Sequence, residues 1–248
     1  MKRILTLVLL TCALLSASAN DTIRVLCLGN SFTYFYDSHE KLVAIAASQN
    51  HTILMKATYV GGYTFNRHLH DLKSIQSIED ALYVGPYDCV FLQEQSQAFA
   101  RYGANPRQYK LEKQDTQELV ARVREHSPKA RIWLEQTWSY SGGNYGTFGS
   151  FEQFDKMLKK GTAALAKSTK TQVSPIGEAF IRVRAERPDI NLYEPDCKHQ
   201  SAAGTYLKSC INYLLIYRTP FVGEVDNGTL DPAIAAYLRQ VAEQIILH

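Results

Sequence analysis

Short runs of apolar and β-branched residues alternate with longer helix-forming segments along most of this 248-residue chain. Such runs are typical of buried strands, and they predict strands at about 23–28, 52–57, 88–93, 130–135 and 171–174. Helices are predicted at about 38–49, 65–72, 112–126, 151–167, 177–187, 202–217 and 231–246. This alternation predicts an α/β fold with three α/β/α layers, a doubly wound, flavodoxin-like, five-stranded parallel sheet of order 2-1-3-4-5.

Three polar or glycine-rich blocks follow the first three predicted strands. Ser31 lies in the turn after the first strand, Gly61-Gly62 follow the second, and Gln93 ends the third. In a sheet of order 2-1-3-4-5 the first strand lies between the second and the third, and ligands bind in the crevice at their carboxyl ends. The sequence therefore predicts one site at which these three blocks meet.

A second polar signature, Asp196-Cys197-Lys198-His199, lies near the C-terminus. A serine hydroxyl needs a base within hydrogen-bond reach, which His199 would supply, while Asp196 would hold the imidazole tautomer and stabilise the imidazolium. Ser31, Asp196 and His199 are therefore predicted to form a catalytic triad for acyl transfer. Neither Gly-Asn-Ser nor Asp-x-x-His identifies such a site by itself, because both are common short patterns.

These blocks resemble those of the SGNH/GDSL hydrolase superfamily, in the order in which that superfamily has them. There, a Gly-Asp-Ser or Gly-Asn-Ser block carries the nucleophile, a later glycine and an Asn or Gln help to bind the oxyanion, and Asp-x-x-His completes the triad. The wider pattern, over roughly residues 22 to 220, is similar to a secreted bacterial subgroup of undefined substrate. The resemblance implies a serine ester hydrolase that uses no cofactor and no metal.

The resemblance also implies three donors for the oxyanion of the tetrahedral intermediate: the backbone N–H groups of Ser31 and Gly62 and the side-chain amide of Gln93. Many members have Gly-x-Asn-Asp in the third block, where this chain has Gln-Glu-Gln. Some carbohydrate esterases have a glutamine there, which favours Gln93, but Gln95 is an alternative. Proline often follows the triad histidine, where this chain has Gln200.

Aromatic residues follow the fourth predicted strand, in a loop that is able to overhang the site. Trp138, Tyr140 and Tyr145 are predicted to bind substrate, for example by stacking on a sugar ring; packing of this loop over its own core is the alternative. His68, spaced after the glycine pair as in the subgroup, is predicted to line the pocket, with a surface or packing role as the alternative. The segment 99–107 is a second candidate wall, with a solvated loop as the default.

The N-terminus has the pattern of an export signal. Lys2-Arg3 precede an apolar stretch that ends in the small residues of a signal-peptidase site. We therefore predict a signal peptide over 1–19 and a single SGNH hydrolase-like domain over 20–248, located in the periplasm or outside the cell. The apolar stretch is shorter than the ~20 residues of a spanning helix, so no stable membrane insertion is expected. A lipoprotein signal through Cys12 is an alternative.

The net charge limits which partners are expected, and the cysteines limit which disulfide bonds are possible. A net charge of +3 without a Lys/Arg-rich run argues against a nucleic-acid partner. Cys27 and Cys89 are predicted to be buried free thiols, whereas a bridge between Cys197 and Cys210 is left open, because the sequence does not give their separation.

The predicted partner is an acylated small molecule or glycan. Polar and aromatic loops around the site favour a secreted serine esterase that removes acetyl or another short acyl group from carbohydrate through an acyl-enzyme. A lipase, phospholipase or thioesterase on the same fold, and a catalytically silent glycan-binding protein, are alternatives, because a fold alone does not determine a function.

Overall fold

The sheet at the centre of the molecule has five parallel strands in the order β2-β1-β3-β4-β5. A computed structural model describes residues 22–143 and 145–248, so the predicted signal peptide and Cys12 lie outside the described residues. The strands are β1 (Ile23–Gly29), β2 (Ile53–Tyr59), β3 (Cys89–Leu92), β4 (Arg131–Glu135) and β5 (Gln172–Ser174). The predicted strand order and direction are confirmed.

Helices cover both faces of this sheet. They are α1 (Ser31–Tyr34), α2 (Ser38–Ser48), α3 (Phe65–His70), α4 (Leu72–Tyr83), α5 (Ser96–Ala104), α6 (Lys110–His126), α7 (Phe151–Thr169), α8 (Ile176–Glu186), α9 (Ala202–Tyr217) and α10 (Pro232–Ile246). Helices α2, α8, α9 and α10 pack together in one layer, and α3 to α7 pack together in the other. The result is the three-layer α/β/α arrangement that the sequence predicts.

The central strands are buried on both faces, which is why their sequences are continuous apolar runs. Leu26 of β1 is fully buried, and Phe91 of β3 stacks on its register partner Trp133 of β4 with ring centroids 5.0 Å apart. The edge strand β2 instead alternates, with Ile53 buried and Leu54 exposed. This packing fixes the carboxyl ends of the central strands, from which the site loops start.

Three helices, the single turn α1 and the longer α4 and α5, have no counterpart among the predicted elements. Most of the segment 99–107, predicted as a loop or pocket wall, belongs to α5, and Phe99 is buried there. Helix α4 begins after Asp71, whose carboxylate accepts the backbone N–H groups of Lys73 and Ser74. A capping aspartate followed by buried positions three and four residues apart is the signal that predicts this helix.

The four cysteines within the described residues are free thiols. Cys27 and Cys89 are buried in the sheet, which confirms their prediction. The bridge left open by the sequence is not formed, since Cys210 is fully buried in α9 while Cys197 lies in the loop that precedes that helix.

Membrane crossing requires a long apolar helix, and in the ranges 22–143 and 145–248 no helix is both long enough and apolar enough.

Candidate active site

Ser31 begins a single helical turn directly after strand β1. The Asn30 side chain caps this turn: its Oδ1 accepts the N–H of Phe32 at 3.2 Å, and its Nδ2 donates to the carbonyl of Tyr63 at 2.9 Å. Because Ser31 is the first residue of the helix, its own N–H has no intrahelical acceptor. The Ser31 hydroxyl is therefore held at the carboxyl end of β1 with a backbone donor beside it.

Two buried side chains hold the backbone around the nucleophile. Gln93 Oε1 accepts the N–H of Asn30 at 2.9 Å and the hydroxyl of Thr33 at 3.0 Å. His68 Nε2 donates to the carbonyl of Gly29 at 2.8 Å. A Cβ at Gly29 would lie 2.5 Å from Gln93 Oε1 and would also overlap the Thr33 hydroxyl. Only glycine allows this close approach of backbone and side chains.

The side chains of Ser31, His199 and Asp196 form a continuous hydrogen-bonded chain. His199 Nε2 lies 2.8 Å from Ser31 Oγ, and His199 Nδ1 lies 2.5 Å from Asp196 Oδ2. With Asp196 ionised, Nδ1 carries the proton and donates to it, so the lone pair of Nε2 faces the serine hydroxyl. The three residues predicted as a triad thus lie together in an arrangement suited to nucleophilic acyl transfer.

Asp196 is held in its ionised form by donors of its own loop. Burial raises the pKa of its carboxyl, but hydrogen bonds from the His199 side chain and from the backbone N–H groups of Lys198 and His199 outweigh burial and hold that pKa below its usual range. The two backbone N–H groups donate to Oδ1 at 2.9 and 3.0 Å, so Oδ2 is left for the imidazole. One short loop therefore orients both the acid and the base.

The imidazole of His199 packs against two aromatic rings of the nucleophile turn. Phe35 is stacked on it with centroids 4.0 Å apart and planes 8° apart, and Phe32 meets it edge-on at 5.4 Å. Tyr36, in the left-handed region at φ +52°, donates its hydroxyl to Glu194 at 2.6 Å. These contacts fix the direction of the ring. The sequence does not predict the role of Phe35, because contact with a residue near the other end of the chain leaves no local pattern.

The carbonyl of Phe32 joins the nucleophile turn to the loop of the triad histidine. Gln200 Nε2 donates to this oxygen at 3.1 Å, and Lys208 Nζ donates to it at 2.8 Å. Gln200 directly follows His199 and is fully buried. Gln200, in the place where proline often follows the triad histidine, therefore supplies an amide that joins the loop of the base to the turn of the nucleophile.

Lys208 also forms a buried ion pair beneath the nucleophile turn. Its Nζ lies 2.6 Å from Glu135 Oε2 at the end of β4, and the two side chains are only 4% and 2% exposed. Asn212 donates to Glu135 Oε1 at 3.0 Å and accepts the hydroxyl of Ser174 at 2.8 Å. Each charge depends on the other, because an unpaired charge in a protein interior is strongly unfavourable. Lys208 is the one charged residue of helix α9, and this is the sequence signal for the pair.

Two backbone N–H groups lie beside the pocket as candidate oxyanion donors. Gly62 has φ +71°, a left-handed conformation that favours glycine, and a Cβ there would meet no atom within 4 Å. Across the described residues, no backbone acceptor pairs with the N–H of Ser31 or with that of Gly62. Both residues line the pocket above the triad, so both N–H groups are available to a bound ligand.

The contacts of Gln93 contradict its predicted role as the third oxyanion donor. Its side chain is buried, its amide nitrogen donates to the carbonyl of Glu94 at 2.8 Å, and its oxygen holds the nucleophile turn. Gln95 lines the pocket instead. Its Oε1 accepts the N–H of Ala98 at 3.2 Å, which directs its Nε2 into the pocket, 3.4 Å from the hydroxyl of Tyr140. The structure therefore favours the alternative, Gln95.

His68 lies inside the protein, and the prediction that it lines the substrate pocket is wrong. Its Nε2 donates to the Gly29 carbonyl, and its Nδ1 accepts the Ser74 hydroxyl at 2.6 Å. Burial lowers the pKa of His68 below its usual range, which keeps the ring neutral. A neutral ring with the proton on Nε2 is the form that these two bonds require. The packing alternative is the correct one.

Trp138 belongs to the core, and its predicted contact with substrate is also wrong. Its ring is sandwiched between Phe32 at 4.7 Å and Phe180 at 4.3 Å and is 1% exposed. Its Nε1 donates to the carbonyl of Lys198 at 2.8 Å. Trp138 therefore positions the triad loop from below, since the large apolar surface is more stable when it is packed between rings than in an open pocket.

The other two aromatic residues predicted to bind substrate lie in different parts of the structure. Tyr140 lines the pocket above the triad, with its hydroxyl near Gln95 Nε2. Tyr145 packs against the core and meets the ring of Phe151 edge-on at 6.5 Å, so it is not part of the pocket wall. Tyr140 thus lies at the pocket, where contact with substrate stays a prediction, whereas the place of Tyr145 contradicts its predicted contact.

A pocket of about 180 Å³ opens above the triad. It is lined by Asn30, Ser31, Phe32, Gly62, Gln95, Gln97, Tyr140, Lys198 and His199. In this lining only Phe32 has a wholly apolar side chain, and most of the other residues bring a polar group to the pocket. A larger cavity of about 540 Å³ beside Arg184 contains no triad residue. Among the described residues, no group of three His, Cys, Asp or Glu side chains is arranged to hold a metal ion.

Comparisons with known proteins identify the fold. No family model and no curated protein matches the chain. A DUF4886 family protein from Bacteroides uniformis superposes with a TM-score of 0.76 at 20% identity, over 92% of this chain and 96% of that one. A protein from Slackia heliotrinireducens described as an SGNH hydrolase superposes with a TM-score of 0.63 at 21% identity, over 79% and 100% of the two chains. The chain has the SGNH hydrolase fold.

The same fold occurs in an acetyl xylan esterase from Geobacillus stearothermophilus, with a TM-score of 0.53 at 18% identity, over 82% of this chain and 97% of that one. The SGNH fold explains why the blocks at Ser31, Gly62 and Gln95 meet, since they follow β1, β2 and β3 at the switch point of the sheet. Activity has to be argued from the site itself, because one fold carries many functions.

Glu94 joins the third block of this SGNH fold to the start of α3. Its Oε2 accepts the N–H of Phe65 at 2.7 Å, and its Oε1 accepts the N–H of Gln95 at 2.6 Å. Burial raises the pKa of Glu94 from 4.5 to about 8, with the charge of Asp115 adding to the effect and the two backbone hydrogen bonds opposing it. The carboxyl that holds Gln95 is therefore largely protonated at neutral pH.

Replacing Glu94 by Gln is expected to flatten the pH dependence of the melting temperature. The folded protein, in which the pKa is about 8, holds a proton that the unfolded chain, near 4.5, releases. The stabilisation linked to Glu94 is therefore present at low pH and lost as the pH rises toward 8. Melting curves between pH 5 and 8.5 measure this, with the exposed Glu125→Gln as control. Equal slopes in the parent and Glu94→Gln would contradict the burial argument.

Replacing Lys208 by Met is expected to lower the free energy of unfolding by about 3–5 kcal/mol, because it leaves Glu135 charged and unpaired in the interior. The double variant Lys208→Met/Glu135→Leu should recover most of this loss, since no charge then remains buried. Urea denaturation of the parent, both single variants and the double variant measures the coupling. A double variant as unstable as the sum of the single variants would show that the pair is not coupled.

Proposed function

We propose that this chain is a serine ester hydrolase that removes short acyl groups, above all acetyl, from carbohydrate. The observation that carries the proposal is the hydrogen-bonded chain from Ser31 Oγ through His199 to Asp196, at 2.8 and 2.5 Å. A hydroxyl, a base and an orienting acid within reach of one another are what acyl transfer needs. The likeness in fold to an acetyl xylan esterase supports an acetyl ester as the substrate.

In the first half of the reaction, Ser31 Oγ attacks the carbonyl carbon of the ester, and His199 Nε2 takes the hydroxyl proton. Asp196 stabilises the imidazolium that forms. The tetrahedral intermediate then collapses: its bond to the alcohol oxygen breaks, and His199 gives its proton to that oxygen. In the second half a water molecule, deprotonated by His199, attacks the acyl carbon. The bond from this carbon to Ser31 Oγ then breaks, His199 returns the proton to Oγ, and the acid is released.

The oxyanion of the intermediate would accept hydrogen bonds from the N–H groups of Ser31 and Gly62 and from Gln95 Nε2. The bond from Ala98 to Gln95 Oε1 already orients the amide, so no reorganisation is needed as the charge develops. Fixed donors of this kind, in a site that excludes water, are worth about 3–4 kcal/mol of barrier each.

The pocket supports a short acyl group on a polar alcohol. Gln95, Gln97 and Tyr140 offer amide and hydroxyl groups to the hydroxyls of a sugar. A lipase or a long-chain thioesterase would need an apolar groove for its acyl chain, whereas this pocket holds about 180 Å³ and its described walls contain one apolar side chain, Phe32.

Export of the enzyme is part of the proposal and rests on the sequence. Lys2-Arg3, the apolar stretch and the small residues that end it indicate a signal peptide over 1–19. A carbohydrate esterase released after residue 19 would meet its substrate in the periplasm or outside the cell.

Ser31→Ala is expected to abolish both hydrolysis of p-nitrophenyl acetate, by roughly 1,000-fold or more, and labelling by a fluorophosphonate probe, which bonds to the nucleophilic oxygen. Ser168→Ala, on α7 and outside the pocket, is the matched control and should keep both. A probe adduct that persists in Ser31→Ala would assign another nucleophile. Faster hydrolysis of octanoate than of acetate would favour the lipase or thioesterase alternative, and tight glycan binding without turnover would favour a silent protein.

Gln95→Ala is expected to lower kcat by roughly 100-fold and to leave KM within a few-fold, because its amide acts on the charge that develops in the transition state. Gln93→Ala is the matched comparison, two residues away. It removes the acceptor of the Asn30 N–H and the Thr33 hydroxyl, so it should lower the melting temperature as well as activity. A kcat loss in Gln93→Ala at unchanged melting temperature, with Gln95→Ala like the parent, would return the oxyanion role to Gln93.

A further inference from the structure

Lys198 places a positive charge on the wall of the catalytic pocket. Its side chain lines the pocket, is partly buried, and has its Nζ 5.8 Å from the centre of the Tyr140 ring. The backbone on both sides is fixed, since the Lys198 carbonyl accepts Trp138 Nε1 and its N–H donates to Asp196. The ammonium group therefore starts from a rigid loop and lies against a rigid ring.

This ammonium group has no carboxylate partner within 4.0 Å among the described residues, in contrast to Lys41, Lys159 and Lys208. The same loop carries the carboxylates of Asp196 and Glu194. Both oxygens of Asp196 are already engaged by His199 and by backbone N–H groups, and Glu194 Oε1 accepts the hydroxyl of Tyr36. The remaining polar groups of the pocket wall are amides and hydroxyls without charge. A ligand in the pocket therefore meets an ammonium group that forms no ion pair with the described residues.

The chemistry of an acetyl ester decides which part of it Lys198 would meet. The leaving alcohol must lie against His199 Nε2, because this atom protonates it. Lys198 directly precedes His199 in the chain, and both side chains line the pocket. The acetyl group carries no charge and offers an ammonium group no partner. A carboxylate that pairs with Lys198 therefore has to belong to the alcohol.

We propose that Lys198 selects esters whose alcohol carries a carboxylate, which for a carbohydrate means an acetylated uronic acid. This inference rests on the proposed esterase function and adds the charge of the substrate to it. An ammonium group and a carboxylate at the rim of a pocket attract each other by an amount that corresponds to roughly 3- to 5-fold in kcat/KM. Salt weakens such an attraction.

The test compares two substrates that differ only in charge: a monoacetylated methyl glucuronoside and the same compound with its carboxylate converted to a carboxamide. The parent enzyme should hydrolyse the carboxylate form with a kcat/KM at least 3-fold higher at low salt, and 0.5 M NaCl should reduce this ratio. The ratio should fall to about 1 in Lys198→Met and below 1 in Lys198→Glu, and it should be kept in Lys198→Arg. Lys129→Met, an exposed position outside the pocket, should keep the parental ratio.

The outcomes separate this inference from the esterase proposal. A parental ratio of 1, or a preference for the carboxylate that persists in Lys198→Met, overturns the role of Lys198 and leaves the esterase function intact. The same holds if neither sugar ester is hydrolysed by an enzyme that turns over p-nitrophenyl acetate. Failure on every short-chain ester, together with no fluorophosphonate labelling of Ser31, overturns the esterase function and this inference with it.

Discussion

The carbonyl oxygen of Phe32 is the acceptor on which the geometry of the site depends. It belongs to the residue after the nucleophile, and it receives one hydrogen bond from Gln200, next to the triad histidine, and one from Lys208 of α9. The nucleophile follows the first strand and the base lies near the end of the chain. Hydrogen bonds to this one atom thus join the nucleophile turn to the loop of the base, beside the 2.8 Å contact between Ser31 and His199.

The support beneath this oxygen is ionic, which is unusual in a core. Lys208 and Glu135 are buried together as an ion pair, and Asn212 donates to the other oxygen of the carboxylate. Desolvation of two charges offsets most of their attraction, so an apolar pair of the same volume would stabilise the fold at least as well. The pair supplies direction instead, since an ammonium group in a fixed position can donate to the Phe32 carbonyl and an apolar side chain cannot.

In the pocket above the triad, by contrast, polar groups remain exposed to a ligand. The side chain of Gln95 is held because it caps a helix, that of Tyr140 by ring packing, and Lys198 by its fixed loop. Their polar ends are therefore oriented before a ligand binds. Preorganised donors of this kind raise rates because they need not rotate as charge develops. Carbohydrate sites often expose large aromatic side chains. In this protein Trp138 instead lies below the pocket, packed between two rings.

The sequence by itself determined the layers and the strand order, and it named the three residues of the proposed triad, because each of these has a local pattern: apolar runs, the Gly-Asn-Ser block and the spacing Asp-x-x-His. It could not decide between Gln93 and Gln95, since the chain leaves the strand at Leu92 and alternation no longer tells which side chain faces the pocket. Only the tertiary structure decided this, and it likewise turned His68 inward. The physical reason is that beyond the end of a strand the direction of a side chain depends on what neighbouring elements pack against it.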